Sequence, residues 1–266
     1  MVATAPPEIV AELGALLDGG TLTDVGTAAE QLFGVAATLR GESALRRVLA
    51  DGSIDESART DLAQQVFGGV VGELALSVTK EAVRRRWTSA HQLTATLERL
   101  GVVGVVRSAG ARSDKISDEL FAVGGLVQHH PELRGALSDA SRSVEDRSAL
   151  LRGLVEGQVS APTLVLVEHA LASQGGSVEQ VLADYQQVAA EVRDELLATV
   201  RSARELSEAD RERLGAVLGR QYGRDVRLRL VVDPELVGGI RIEIGDDVID
   251  GTVSSRLDDA RRRLAG

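Results

Sequence analysis

The chain repeats itself, and the repeat limits what it can fold into. Laid against itself at an offset of 88 residues, Gln31-Leu32-Phe33-Gly34-Val35 falls on Glu119-Leu120-Phe121-Ala122-Val123. At the same offset Leu45 to Asp51 falls on Leu133 to Asp139. The register then holds without a gap through Arg59 and Arg147, Leu62 and Leu150, Gly69 and Gly157, and Leu76 and Leu164. It ends at Ser89 and Ser177, Gln92 and Gln180, and Ala95 and Ala183. About 17 identities over roughly 71 positions exceed what two unrelated amphipathic stretches share, and the coincident Phe, Gly and Asp positions do not follow from a common period. A repeated supersecondary unit buries its apolar faces against itself and its neighbour, so the fold has two related halves.

Within each copy the apolar spacing is helical. Ala28 to Arg40 places Leu32, Phe33, Ala36 and Leu39 on one face, and Ser43 to Asp51 does the same with Leu45, Val48 and Leu49. Asp51-Gly52-Ser53 breaks the chain before a helix from Ser57 to Val66. Gly68-Gly69 separates that helix from Gly72 to Arg86, and Ser89 is the N-cap expected for a helix to Leu100. None of these segments buries its apolar face alone, so they pack as a bundle. The offset carries the first helix, Pro6 to Leu17, onto Thr94 to Val105. The last helix of copy one therefore also serves as, or leads into, the first of copy two, and two bundles are expected end to end with no flexible linker.

Composition removes several function classes. With a net charge of −10 and 2 % aromatic residues, the chain lacks both the cationic charge and the stacking rings of a nucleic-acid binder. The absence of cysteine excludes disulfides, zinc thiolate sites and cysteine nucleophiles. No apolar run approaches the roughly 20 residues that span a bilayer. Met1 to Gly14 lacks the basic flank and apolar stretch of a signal peptide. The chain reads as cytoplasmic, with membrane association only through a partner.

After Leu196 the texture changes. Leu197 to Ala203 alternates as a strand, with Leu197, Thr199 and Arg201 opposite Ala198, Val200 and Ser202. Ser207-Glu208-Ala209-Asp210 is a capping-box pattern opening a helix to Tyr222, which Gly223 ends. Val226 to Val232 and Gly239 to Ile244 are further strands, and Val248-Ile249 pairs back as a hairpin after Gly245-Asp246-Asp247. An amphipathic helix from Ser254 to Leu264 closes the chain. The fold expected is mainly α: two tandem helical bundles, 1–105 and 106–196, followed by a small α/β domain, 197–266.

Motifs that suggest chemistry have simpler readings. Gly238-Gly239 is followed by neither Lys-Ser/Thr nor a helix, so a strand entry explains it better than a phosphate loop. Ser77-Val78-Thr79-Lys80 fits Ser-x-x-Lys, but its companion motifs are absent and Ser77 maps onto Val165. His129-His130 has no spaced third ligand, and Asp246, Asp247 and Asp250 fit turn chemistry. Arg84-Arg85-Arg86-Trp87 complements a helix C-terminus or else meets an acidic partner.

Val232 to Leu257 carries the resemblance to a family. Asp233, the pair Gly238-Gly239, then Gly245-Asp246-Asp247-Val248-Ile249-Asp250-Gly251-Thr252 and Arg256-Leu257 resemble in order the signature of the ATP synthase delta subunit, called the oligomycin-sensitivity-conferring protein in mitochondria. Thr252 stands where Ser is common. Glu119 to Arg201 resembles the family's helical domain, including the Leu133 to Asp139 stretch. The additional first 90 residues make the chain similar to the long actinobacterial form, which also occurs fused to the stalk b subunit.

The resemblance implies a non-catalytic stator subunit of the proton-translocating F-type ATP synthase, with no cofactor and no metal, peripheral on the cytoplasmic face of the bacterial plasma membrane. Its partners would be the N-terminal helix of the alpha subunit and the C-terminal end of the b subunit. The family grips alpha with the first and fifth helices of the bundle. Here these are Pro6 to Leu17 with Glu73 to Arg86, or Thr94 to Val105 with Ala161 to Ala172. The implied contacts are Ile9, Leu13, Leu76, Lys80, Val83, Leu164 and Leu171 for alpha. For b they are Asp233, Gly238, Gly239, Gly245, Asp250, Gly251, Arg256 and Leu257. Two other readings stay open: a free-standing helical-repeat scaffold that borrowed the C-terminal domain, and a hydrolase using Ser77 and Lys80.

Overall fold

In the computed structural model, residues 5–251 are described apart from 140, 174–175, 194–195, 224–225, 235, 237 and 245–246. The chain divides into two compact units, Met1–Ala189 and Ala190–Gly266. It is mainly α with a small C-terminal α/β region, as the periodicity predicts.

The helices run α1 (Pro7–Ala15), α2 (Leu22–Gly41), α3 (Ser43–Ala50), α4 (Glu56–Phe67), α5 (Glu73–Arg84) and α6 (Ala90–Ser108). They continue as α7 (Ser113–His129), α8 (Pro131–Ser138), α9 (Val144–Val155), α10 (Ala161–Ala172) and α11 (Val178–Val192). Single 3₁₀ turns, Leu16–Gly19 and Gly110–Arg112, precede α2 and α7. The offset of 88 carries α3, α4 and α5 onto α8, α9 and α10 residue for residue.

The duplication extends to single hydrogen bonds. Gln31 Oε1 accepts from the Gly72 N–H at 2.9 Å, and Glu119 Oε2 accepts from the matching Ser160 N–H at 3.0 Å. Asp51 caps the Ser53 N–H and Asp139 the Ser141 N–H, both at 2.9 Å. Arg59 donates to the Leu49 carbonyl and Arg147 to that of Leu137. Lys80 donates to Gln64 at 3.1 Å, whereas in copy two Arg152 donates to Glu168 at 2.6 Å, the donor having moved to the other helix.

The helix starts follow local chemistry. Thr21 and Asp24 form a reciprocal capping box, which starts α2 six residues before the Ala28 expected from apolar spacing. Ser89 caps α6 through the Gln92 N–H, as its position predicts. That helix does not stop at Leu100 but runs to Ser108. An added Cβ would meet the Phe33 ring at 2.9 Å from Gly101 and Ala29 Cβ at 2.7 Å from Gly104. These glycines are places of close approach to α2 rather than helix breakers. Every residue from Leu100 to Val106 is buried, so α6 is apolar all round, as befits the central helix. It packs chiefly on α2 and also meets α1, α3, α5, α7 and α10, and so serves both copies.

The second unit holds β1 (Leu196–Ser202), α12 (Glu208–Tyr222), β2 (Val226–Val232), β3 (Ile240–Ile244) and β4 (Asp247–Asp250). The sheet order is β2-β1-β3-β4, with β1 parallel to β2 and antiparallel to β3, and β4 antiparallel to β3. Alternation puts Ala198, Val200, Ile242 and Ile244 on one face, where they pack with Leu218 of α12. Ser207 caps α12 through the Asp210 N–H, and Gly223 ends it at φ 67°. The expected helix from Ser254 to Leu264 and the turn at Gly245-Asp246 lie outside the described residues.

Candidate partner-binding surfaces

The expected contacts divide by burial. Helices α1 and α5 are neighbours. On α1, Ile9 is half-buried and Leu13 fully buried. On α5, Leu76 and Lys80 are half-buried one turn apart, while Val83 is fully buried. On α10, Leu164 is half-buried and Leu171 is buried. Leu13, Val83 and Leu171 are therefore core residues, and the surface at these helices is carried by Ile9, Leu76, Lys80 and Leu164. Helical spacing reports which residues share a face; it does not report where the core ends on that face.

The two candidate grooves differ. On α1, five of nine residues are exposed, among them Glu8, Ala11, Glu12 and Ala15. Its copy-two counterpart, Thr94 to Val105, has no exposed residue because that stretch of α6 lies inside the unit. At the head of α5 a cavity of about 530 Å³ opens between Gly20, Asp24, Gln31, Glu73, Leu74 and Ser77. Ser77 thus borders the cavity, but the Lys80 ammonium is bonded to Gln64, so the two do not form a nucleophile and base.

Two arginines of the run are bound within the bundle. Arg84 pairs with Glu81 at 3.1 Å and Glu56 at 3.4 Å, and Arg85 with Glu12 at 3.0 Å and Glu81 at 3.1 Å. These pairs join the end of α5 to α1 and α4, and Trp87 Nε1 donates to the Ala82 carbonyl at 2.9 Å. His129 Nδ1 lies 2.7 Å from the Gly125 carbonyl. Among the described residues, no three His, Asp or Glu side chains are grouped to hold a metal ion.

The signature residues of the second unit meet where β3 begins and β4 ends. The Gly251 N–H donates to Ile240 O at 2.9 Å, and a Cβ at Gly251 would lie 3.2 Å from that oxygen. Gly239 has φ 83°, a conformation that side chains resist, just before β3. The Asp233 N–H donates to Ser202 O at 2.8 Å, tying the end of β2 to β1. Gly238 and Asp250 flank the same strands, and Gly245, Arg256 and Leu257 lie outside the described residues. Backbone geometry accounts for the signature glycines that the structure describes.

Sequence reading missed a cluster at the meeting of the copies. The Glu98 carboxylate accepts from Arg40 Nη1 at 2.9 Å and from the Tyr185 hydroxyl at 2.8 Å. His169 stacks on Phe33 with ring centroids 3.8 Å apart. The available signal was negative: these are positions where the repeat fails, Glu98 facing Gln186 and Tyr185 facing Leu97 at the offset.

A duplicated helical body followed by a small α/β unit defines a mainly α class of protein. The family model of the ATP synthase delta (OSCP) subunit matches residues 105–264. An ATP synthase subunit delta of Nocardioides sp. is 49 % identical over 262 residues, covering 97 % of this chain and 95 % of its own. One of Streptomyces coelicolor is 40 % identical over 256 residues, covering 95 % and 93 %. One of Thermobifida fusca is 38 % identical over 266 residues, covering 99 % and 98 %. The chain belongs to the ATP synthase delta (OSCP) family, a non-catalytic peripheral-stalk component of the membrane-bound complex. No helix among the described residues is long and apolar enough to cross a membrane.

Proposed function

We propose that this subunit holds the catalytic head of a proton-translocating ATP synthase to its peripheral stalk, so that the head resists the torque of the rotor. The face made by α1 and α5 of copy one (1–105) seats the N-terminal helix of an alpha subunit. Copy two (106–196) follows in the chain, and the α/β domain (197–266) receives the C-terminal end of the b subunit. The complex works from the cytoplasmic face of the plasma membrane.

The observation that carries this reading is the exposure of α1 beside α5, set against the complete enclosure of its copy-two counterpart in α6. An amphipathic partner helix needs accessible apolar positions on neighbouring elements. Ile9 on α1 and Leu76 on α5 are half-buried apolar positions on two neighbouring helices of copy one.

Titration calorimetry with a peptide of the alpha-subunit N-terminus tests this on the full chain. Leu76→Arg should abolish binding, and Leu164→Arg should leave it unchanged. The reverse pattern would move the site to copy two. No binding by the unaltered chain would discard the adaptor reading for alpha and favour a free-standing scaffold.

A further inference from the structure

Four side chains that have no counterpart at the repeat offset meet where the copies join. Arg40 and Glu98 come from copy one, and their equivalents are Gln128 and Gln186. His169 and Tyr185 come from copy two, and theirs are Glu81 and Leu97. These groups therefore serve the junction and not the bundle that both copies share. Glu98 is the common member, bonded to Arg40 of α2 and to Tyr185 of α11. Beside them the imidazole of His169 on α10 lies flat against Phe33 of α2, the planes 21° apart. Tyr185 is buried, so its hydroxyl depends on Glu98 for a strong acceptor.

We propose that this cluster is an acid-sensitive latch, in which Glu98 clamps the two helical copies at one angle and a proton on His169 releases them. The charged groups acting on His169 are Glu98 from α6 and Arg40 from α2, with Glu168 on its own helix. Glu168 is itself held by Arg152 of α9. A protonated imidazole brings a second cation into a site that already holds Arg40, with one carboxylate between them. Burial keeps the ring neutral below its ordinary value of 6.5, with Arg40 acting in the same direction and Glu98 and Glu168 opposing. The sign follows. Docking is complete above 6.5, where the ring is neutral docked or free, and weakens as pH falls from there through the lowered value.

The chain has no cysteine, so two engineered ones carry spin labels without interference. Ala58→Cys on α4 and Ala149→Cys on α9 are both exposed and lie one in each copy. Pulsed electron-electron resonance on the full chain should give one narrow distance distribution at about pH 8 and a broad or displaced one at about pH 5.5. His169→Phe keeps the stacked ring and removes the proton, so its distribution should stay narrow at both. Tyr185→Phe should broaden it at both. An unaltered chain with one distribution at both pH values would overturn the proposal without any variant having to fold. So would a His169→Phe chain that still responds to acid, or a Tyr185→Phe chain that matches the unaltered one.

Discussion

Arg59 is 4 % exposed, and its guanidinium is spent on carbonyls: that of Leu49 at the end of α3, that of Ile54 in the turn before α4, and those of Val83, Arg84 and Arg85 at the end of α5. A cation at two helix C-termini satisfies acceptors that have no partner within their helices. Arg59→Leu leaves several of them buried and unpaired and should cost about 3 kcal/mol in urea unfolding. Arg147→Leu, which removes the corresponding bond to Leu137 O and a longer one to the exposed Ser143 O, should cost only about 1 kcal/mol. A second expectation concerns acid. Burial pushes the Glu119 carboxyl up, but hydrogen bonds from the Ser160 hydroxyl, the Thr163 hydroxyl and the Ser160 N–H together bring it below its ordinary 4.5. Its contribution is present above 4.5 and is lost as pH falls through the lowered value. Copy one does the same work with Gln31, so Glu119→Gln should keep the cap and lose the pH dependence. The fall in melting temperature between about pH 7 and about pH 4 should be smaller in that variant.

Among the elements, the packing of α2 on α6 is the most extensive, and two glycines on α6 permit their close approach. Gly104→Val should force the helices apart at Ala29 and cost about 3 kcal/mol in thermal unfolding. Gly124 on α7 has open space around its missing Cβ, so Gly124→Ala should stabilise by about 0.5 kcal/mol. The same pair shows what periodicity conveys. The bounds of α3 to α5 were legible to within two or three residues, and the repeat offset carries them onto α8 to α10. The second half of α6 was not, because a glycine chosen for close packing and one that ends a helix are the same letter. The sheet was legible from its alternation, since Ala198, Val200, Ile242 and Ile244 all face inward as the period of two requires. At the candidate surface the helices were legible and the depth of each residue was not. Leu13 and Ile9 lie four apart on α1, yet one is enclosed and the other half-open. The junction cluster was illegible for a different reason: its members come from four helices, and no local pattern brings them together.

At the scale of the molecule, duplication left two helical copies within one compact unit, with one helix in common. A linker of irregular chain would let each copy reorient by rotation about a few backbone dihedrals. Here the connection is α6, 19 residues and about 28 Å of unbroken backbone hydrogen bonding, packed chiefly on α2 of copy one and in contact with α7 and α10 of copy two. Bending it requires stretching many such bonds together with the side-chain packing around them. Elastic energy put into one copy therefore spreads along a stiff rod instead of being dissipated in a slack joint.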